Sequence, residues 1–127
     1  MISFSCDGAP VPQGSMKVIN GHILHSQGSA LAVWRSTVGL SARFAGCKPV
    51  EGAIGIEIVF RVRRPKTVKR TFPTVAPDLD KYIRAVLDSL SKVAYIDDSQ
   101  VISIIAQKLY SDTPGVDITI SDAFDCL

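Results

Sequence analysis

Residues 77–101 read PDLDKYIRAVLDSLSKVAYIDDSQV, and this stretch decides the fold of the chain. Its apolar residues recur at the three- and four-residue intervals of a helix with one buried face, and they are Ile83, Val86, Leu87, Leu90 and Val93. We predict a helix that starts near Lys81, a turn over residues 95–100 and then a strand. The strand is expected to be buried, because residues 101–105 form an apolar, β-branched run.

Further strands are predicted on both sides of this stretch. Residues 54–62 alternate apolar and polar side chains and are the clearest strand in the chain. Residues 107–110 extend the strand that follows the turn. The alternation of Val116, Ile118 and Ile120 with polar neighbours predicts a last strand after the turn at residues 113–115.

The N-terminal part begins with an alternating pattern over residues 2–6, which predicts a strand. Residues 8–14 contain two prolines and two glycines and predict a loop. Short apolar runs at residues 16–19 and 22–24 flank Asn20-Gly21. Asn-Gly is a strong hairpin signal because both residues tolerate positive φ.

Residues 29–44 predict an amphipathic helix with Ser29 as its N-cap and Gly46 at its C-terminal end. Its apolar residues, with Trp34 and Phe44 at core-like positions, are Leu31, Val33, Trp34, Val38, Leu40 and Phe44. The element order is therefore β, ββ, α, β, α, β, β. It predicts an α+β fold, a single domain over residues 1–127 with a mixed, mainly antiparallel sheet and two main helices.

The bulk composition is that of an ordinary globular protein. With 127 residues and 46% hydrophobic residues, the chain has material for one core. No apolar run reaches the roughly 18 residues of a membrane helix, and the N-terminus lacks the pattern of a secretory signal. Three widely spaced cysteines, Cys6, Cys47 and Cys126, indicate neither a zinc site nor a disulfide framework. Free thiols suit a reducing cytoplasm.

The net charge of +2 is unevenly distributed. Six of the fourteen basic residues fall within ten positions, and they are Arg61, Arg63, Arg64, Lys66, Lys69 and Arg70. Three prolines over residues 65–77 exclude regular structure through most of this segment. Five acids follow within residues 78–98. Cations that hold a polyanion, followed by carboxylates that hold a metal ion, are what a phosphodiester enzyme needs.

Asp78, Asp80 and Asp98 are the candidate metal ligands. Magnesium prefers hard oxygen ligands, usually one or two carboxylates with water and substrate phosphate. Clustered carboxylates repel one another, and a divalent cation removes that repulsion. Arg84 lies four residues after Asp80 on the predicted helix, so the two side chains share a face. Its guanidinium either balances the aspartates or binds the scissile phosphate.

Each of these residues also has an ordinary structural interpretation. Asp80 is a candidate helix cap, Asp97-Asp98 a candidate turn pair and the basic segment a candidate solvated loop. The helix also separates the two acidic pairs by about 20 Å if it runs away from the site. Asp98 then reaches the others only if the chain folds back over the helix N-terminus or if a partner subunit supplies it. The spacing leaves both alternatives open.

The sequence resembles the RusA family of Holliday-junction resolvases. The resemblance covers residues 77–108 and, more loosely, the proline-containing loop at residues 8–14. Its motifs are Pro77-Asp78-Leu79-Asp80, a basic residue on the following helix, an Asp-x-Leu element at residues 88–90, and Asp97-Asp98-Ser99-Gln100-Val101. The paired motifs at this spacing are far more specific than either motif alone.

The resemblance implies a cytoplasmic homodimer, of phage or prophage type, that cuts four-way DNA junctions with Mg²⁺ or with Mn²⁺ in its place. It carries over Asp78, Asp80 and Asp98 as metal-binding catalytic residues and implies that the fold brings them together. Arg84 replaces the lysine of the best-known member, and Lys81 replaces its asparagine. Both changes concern substrate preference rather than the metal chemistry.

We predict an Mg²⁺-dependent endonuclease that acts on branched DNA, with Arg84 beside the aspartates. The predicted DNA-binding residues are Arg61, Arg63, Arg64, Lys66, Lys69, Arg70, Lys81, Arg84 and Lys108. Two alternatives remain: a structure-selective flap or fork nuclease, and a catalytically silent DNA-binding phage protein. The calcium-binding Asp-x-Asp-x-Asp-Gly loop is absent from the sequence. The roles of His22, His25 and Asp88 stay undetermined.

Overall fold

A computed structural model describes residues 1–14, 16–19, 22–25 and 28–122. Its elements follow the predicted order. They are β1 (Ile2–Asp7), β2 (Met16–Ile19), β3 (His22–His25), α1 (Gly28–Phe44), β4 (Ile54–Val62), α2 (Leu79–Leu90), a 3₁₀ turn (Asp98–Gln100), β5 (Val101–Tyr110) and β6 (Gly115–Ser121). The prediction of an α+β domain with two main helices is confirmed.

The main sheet has four strands in the order β1-β6-β4-β5. The β1–β6 and β4–β6 pairs are antiparallel, whereas β4 and β5 are parallel. The parallel pair arises because the chain crosses over through α2 between these two strands, as in other parallel connections. Strands β2 and β3 form a separate antiparallel hairpin that pairs Ile19 with His22, as predicted. The Asn20-Gly21 turn itself lies outside the described residues.

The core lies between one face of the sheet and the two helices. Every second residue of β4 and β6 is buried, which confirms the predicted alternation, and these residues are Ile54, Ile56, Ile58, Phe60, Val116, Ile118 and Ile120. Tyr82 of α2 stacks on Phe60 with the ring centroids 5.2 Å apart. The helices meet at Gly39, where an added Cβ would lie 3.3 Å from the Ser89 carbonyl oxygen. This packing fixes α2 on the sheet.

Two predictions about α1 are wrong. The helix begins at Gly28, so Ser29 lies in its first turn and is not the N-cap. Leu31, Trp34 and Val38 are buried as expected, but three other apolar residues are exposed: Val33 (67%), Leu40 (56%) and Phe44 (90%). The sheet and α2 cover only one stripe of α1, and these three side chains lie outside it. Gly46 follows the helix with φ of +101°, as its predicted terminal position requires.

The expectation that residues 101–105 are buried is also wrong. β5 is the outermost strand of the sheet, with β4 as its neighbour. Ile102, Ile104 and Ile105 are 60%, 39% and 59% exposed. A run of β-branched residues predicts a strand, but it does not say whether another strand will lie on each side of it. The predicted extension through residues 107–110 is confirmed.

Two of the cysteines lie in the described part of the chain and are free and buried. Burial raises the pKa of the Cys6 thiol and that of the Cys47 thiol, which makes both less reactive. Cys126 lies outside the described residues. None of the described helices combines the length and the apolar character that crossing a membrane requires.

Candidate active site

Helix α2 presents a polar row of side chains to an open cleft. Asp80, Arg84 and Asp88 follow one another at four-residue intervals and therefore share one helix face. They line a cleft of about 550 Å³ together with Asp98 and Gln13. The apolar side chains of Ile83 and Leu87 form its floor. The structure thus places four of the polar groups needed for phosphodiester chemistry around one opening.

The first turn of α2 carries the paired aspartates. Asp78 occupies the N-cap position, but its side chain accepts no capping hydrogen bond. Asp80 lies inside the first turn, so the interpretation of Asp80 as a cap is not supported. The Lys81 ammonium lies 3.6 Å from an Asp80 carboxylate oxygen. Both aspartates are exposed, so their oxygens face solvent at the positive end of a helix dipole.

Arg84 has no carboxylate within 4.0 Å among the residues that the structure describes. It is exposed beside Asp80 and Asp98 in the cleft. The interpretation of Arg84 as one half of a surface ion pair is therefore not supported. A planar guanidinium that faces an open cleft is suited to binding a phosphate through two parallel hydrogen bonds.

Asp98 is held by the turn that ends α2. The Asp97 carboxylate accepts a hydrogen bond from the Ser99 backbone N–H at 3.0 Å. Hydrogen bonds from the Ser99 side chain and from this N–H lower the pKa of Asp97. The Gln100 side-chain oxygen accepts from the backbone N–H groups of Ile96 and Asp97 at 2.8 Å. Together they form a capping box at the start of the 3₁₀ turn. Asp97 is therefore a structural residue, whereas the Asp98 side chain is left for the cleft.

Gln100 also ties this turn to the chain before β4. Its amide nitrogen donates to the carbonyl oxygens of Val50 and Gly52 at 2.8 and 2.9 Å. The four hydrogen bonds of the Gln100 side chain thus fix the turn that carries Asp98. The glutamine of the Asp-Asp-Ser-Gln motif is a positioning residue by this geometry.

We expect Gln100→Ala to lower the free energy of unfolding by about 2 kcal/mol, because two N–H groups and two carbonyl groups lose their partner. Gln107→Ala is the matched control, since Gln107 is an exposed glutamine on β5. Urea unfolding of the two metal-free variants measures the difference. Equal stability of the two variants would show that the turn does not depend on Gln100.

The electrostatic surroundings of Asp98 favour its neutral form. Burial raises the pKa of the Asp98 carboxyl, the nearby Tyr95 hydroxyl partly offsets this, and the charges of Asp88 and Asp97 raise the pKa further. The Tyr95 hydroxyl donates to the Leu87 carbonyl oxygen at 2.8 Å, which places Asp98 beside the later turns of α2. A cation at this position would relieve the repulsion between the carboxylates.

Asp78 and Asp98 lie at opposite ends of α2 in one chain. From Asp78 to the Leu87 carbonyl beside Tyr95 the helix rises about 14 Å. In the part of the chain that the structure describes, no three His, Cys, Asp or Glu side chains lie close enough together to hold a metal ion. Asp78, Asp80 and Asp98 are thus not gathered at one point among the described residues. The two ways of bringing Asp98 to the other aspartates, a return of the chain and a partner subunit, both stay predictions.

Two cleft residues were missed by the sequence interpretation. Gln13 belongs to the N-terminal loop, and its backbone N–H donates to the Lys81 carbonyl oxygen at 3.0 Å. Its side-chain oxygen is buried and has no hydrogen-bond partner among the described residues. Asp88, whose role was undetermined, faces the cleft near Asp98. The four-residue spacing from Asp80 through Arg84 was the signal for Asp88, whereas only the looser N-terminal resemblance pointed toward Gln13.

The donor chemistry at this place fits a magnesium ion. The cleft offers carboxylate oxygens from Asp80, Asp88 and Asp98 and the amide oxygen of Gln13, which has no hydrogen-bond partner among the described residues. These are hard oxygen ligands of the kind that magnesium takes. The types of ligand atom therefore suit magnesium, although the described residues of one chain do not bring three such side chains together at one point.

The basic segment splits into two groups. Arg63, Arg64, Lys66, Lys69 and Arg70 are exposed. Arg70 donates to the Tyr110 hydroxyl at 2.9 Å, and Arg64 lies over the Tyr110 ring at 5.9 Å. Arg61 instead forms ion pairs with Asp117 and Asp7 at 3.2 and 3.5 Å and contacts Thr113. Its guanidinium is thus engaged in the sheet, and the proposed DNA contacts rest on the other cations.

Lys108 holds the segment that precedes Asp78. Its ammonium donates to the carbonyl oxygens of Val75 and Pro77 at 2.7 and 2.8 Å. Pro77 immediately precedes Asp78, so the strand β5 fixes the position of the first aspartate. This placement gives Lys108 a positioning role, whereas a contact between Lys108 and DNA phosphate stays a prediction.

We expect Lys108→Met to raise the Mg²⁺ concentration needed for half-maximal DNA cleavage several-fold, because the Asp78 segment loses two charge-assisted hydrogen bonds. Lys108→Arg should restore part of the effect, and Lys69→Met on the exposed loop is the control. Magnesium titration of the cleavage rate gives the measurement. Unchanged magnesium dependence with weaker DNA binding would instead assign Lys108 to phosphate contact.

An α+β domain in which acidic side chains and an arginine line one cleft, with exposed cations on the segment that leads to Asp78, has the features of one class, that of the nucleic-acid phosphodiesterases. The family model for endodeoxyribonuclease RusA matches residues 7–121, nearly the whole chain. The chain therefore belongs to the RusA endodeoxyribonuclease family, which confirms the resemblance. It is also similar to the uncharacterized protein YqaN of Bacillus subtilis (strain 168), with 28% identity in an alignment of length 138 that covers 95% of this chain and 96% of the relative.

Proposed function

We propose that the chain is an Mg²⁺-dependent endodeoxyribonuclease that resolves four-way DNA junctions by paired phosphodiester hydrolysis. One observation carries the proposal: the carboxylates of Asp80, Asp88 and Asp98 line the same cleft on α2 as the Arg84 guanidinium. Among the described residues, no carboxylate forms an ion pair with Arg84. Family membership supports the nuclease class. The metal requirement and the paired cuts go beyond what family membership supports.

The proposed roles follow the chemistry of each side chain. Asp78, Asp80 and Asp98 hold the metal ion, and Mn²⁺ replaces Mg²⁺ because both accept carboxylate oxygens. When bound, the ion activates water and offsets the charge that develops on the phosphate. Arg84 binds the scissile phosphate and holds it for in-line attack. Gln13 adds a neutral oxygen at the cleft wall.

The exposed cations bind the DNA backbone. Arg63, Arg64, Lys66, Lys69 and Arg70 lie on the segment that leads to Asp78, and Lys81 lies beside Asp80. All of these side chains are long enough to reach phosphates, and all except the half-buried Lys81 are exposed to solvent. Such contacts fix the register of the DNA and carry little sequence information. They therefore suit an enzyme that recognises the shape of a branch.

We propose that the active form is a homodimer. A four-way junction has two symmetry-related strands to cut, and a two-fold dimer presents two identical sites to them. One chain with one acidic set supplies at most one site. A stable dimer of this kind is expected to bury more than about 1,000 Å² in total.

Cleavage of a labelled four-way junction with Mg²⁺ tests the proposal. Linear duplex of the same sequence, a flap and a fork are the comparison substrates, and EDTA is the control. We expect paired incisions in the junction and little cleavage of linear DNA. Preferential cleavage of the flap or the fork would support the structure-selective alternative. Tight junction binding without any cleavage would support the silent DNA-binding protein.

A further inference from the structure

A second cleft, of about 200 Å³, lies beside the segment that carries Asp78. It opens between the basic segment and the end of β5, and one wall is the run Val75-Ala76-Pro77, which ends directly before Asp78. We call it the proline cleft, because Pro65, Pro73 and Pro77 all line it. Sites for drug-sized ligands measure roughly 300–1,000 Å³. The smaller volume of the proline cleft is suited to a single planar ring system.

Two tyrosine rings add flat faces to the proline cleft. Tyr82 stacks on Phe60 with the ring centroids 5.2 Å apart, so the core holds its ring in place. Tyr110 also lines the cleft, and the Arg64 guanidinium carbon lies 5.9 Å from the centroid of its ring. Nucleobases stack on aromatic rings and on arginine side chains, because every base has a π-face. The walls of the cleft are therefore suited to stacking a base.

The Tyr82 hydroxyl is a polar group that lacks a hydrogen-bond partner among the described residues. The hydroxyls of Tyr95 and Tyr110 each take part in a hydrogen bond, whereas the Tyr82 side chain, which is only 5% exposed, does not. Burial raises the pKa of Tyr82, so its hydroxyl keeps the proton. Leaving a buried hydroxyl without a partner costs free energy. The edge of a base carries donors and acceptors that would supply the partner.

Cations at the proline cleft are placed to bind the phosphates of the same nucleotide. Arg63 and Arg70 line the cleft and are exposed, and neither forms an ion pair among the described residues. Lys108 also lines the cleft and fixes one wall, because its ammonium donates to the carbonyl oxygens of Val75 and Pro77. A nucleotide whose phosphates contact the two arginines therefore has its base at the cleft and its backbone near Asp78.

We propose that the proline cleft binds one unstacked nucleobase of branched DNA, next to the phosphate that is cut, and that Tyr82 and Tyr110 are specificity-determining residues. The inference rests on the proposed nuclease function and adds a base contact to it. Taking a base out of a stacked duplex costs free energy, and the cost is least where the base is already unpaired or unstacked. A branch point offers such bases, so the contact favours branched over linear DNA.

The first test measures whether Tyr82 and a base act together. Four-way junctions carry an abasic analogue at one symmetry-related pair of branch nucleotides at a time, which removes the base and keeps sugar and phosphate. In EDTA, Tyr82→Phe is expected to bind the intact junction about two- to tenfold more weakly than the wild type does, because one hydrogen bond is lost. Both proteins should bind equally to the junction that lacks the contacted base.

Tyr95→Phe is the matched control, since it removes the same atom from a tyrosine that does not line the proline cleft. Its affinities for the intact and the abasic junctions should have the same ratio as those of the wild type. Tyr110→Leu removes a stacking face and should weaken binding of the intact junction at least about fivefold more than that of the abasic one. Equal effects on both junctions at every branch position, for Tyr82→Phe and for Tyr110→Leu, would overturn the proposal.

The second test separates a base contact from a phosphate contact by salt. A contact with a base releases no counterions, so Tyr82→Phe should lower the affinity by the same factor at every salt concentration. Arg63→Gln with Arg70→Gln should instead lower the slope of log affinity against log salt by about 2. A smaller slope in Tyr82→Phe would show that this residue acts only by placing the arginines, and would contradict the proposal.

Cleavage of the same junctions by the wild type with Mg²⁺ separates this inference from the nuclease function. Cleavage by a wild type whose Tyr82 and Tyr110 variants show no dependence on the base would refute the base contact and leave the nuclease function standing. Base-dependent binding without any cleavage would refute the nuclease function and support the base contact. A wild type that binds no junction would refute both.

Discussion

Asparagine at Asp78, Asp80 or Asp98 is expected to lower junction cleavage about a thousandfold or more while the fold and junction binding persist. Loss of one metal ligand removes several kcal/mol of transition-state stabilisation, and each 1.36 kcal/mol corresponds to about a tenfold change in rate. Junction binding should stay the same or tighten, because a negative charge near the phosphates has been removed. Single-turnover cleavage and gel-shift affinity on the same labelled junction measure both quantities.

Glu57→Gln and Asp112→Asn are the controls for this comparison. Both acids are exposed, and neither lines the α2 cleft. Both variants should cut like the wild type, and EDTA should stop every active variant. Near-normal cleavage by one of the three asparagine variants would remove that aspartate from the site. Asp88→Asn belongs in the same series, since Asp88 also lines the cleft.

Neutralising the basic segment is expected to have the second large effect. Glutamine at Arg63, Arg64, Lys66 and Lys69 together should weaken junction binding at least about tenfold. Each lost phosphate contact lowers the slope of log affinity against log salt by about 0.9, so four contacts lower it by about 3 to 4. The weakening should be similar for junctions of different sequence, because phosphate contacts carry little sequence information.

Binding titrations at several salt concentrations test this prediction. Arg35→Gln with Arg43→Gln is a useful comparison, since these exposed arginines lie on α1. They should change the slope less than the four residues of the loop do. An unchanged slope in the fourfold variant would mean that the loop is only a solvated connection between β4 and α2.

The arrangement of strands and helices was predictable because the chain has clear periodicities. The alternation of isoleucines in β4 and the helical spacing around Val86 each allow one interpretation, and both are confirmed. Burial was less predictable. The apolar run of β5 is exposed because this strand is outermost, and strand order depends on pairings that a local pattern does not encode.

The residues that line the α2 cleft were predictable only in part. Family resemblance named the aspartates, whose catalytic role stays a prediction, and the helix spacing predicted the shared face on which Arg84 and Asp80 line the cleft. The helix length also predicted that Asp98 could lie far from Asp78, since α2 separates the two residues by most of its length. Gln13 was missed because its position depends on how the N-terminal loop packs on Lys81, a contact between residues far apart in sequence.

The order of strands has a consequence for how the protein comes to be folded. β6 follows all other described elements along the chain, yet it lies between β1 and β4 and pairs with both. Its first partner, β1, is made more than a hundred residues earlier, as the pairing of Ile2 with Ile120 shows. Contacts of such long range make folding slow, because a large loop must close before they form.

During synthesis, the parallel unit of β4, α2 and β5 therefore emerges before its sheet can close. Until β6 has been made, β1 has no partner strand and β4 pairs only with β5, so an incomplete chain leaves an edge of each strand open. The topology of the sheet thus delays completion of the fold until translation has passed β6.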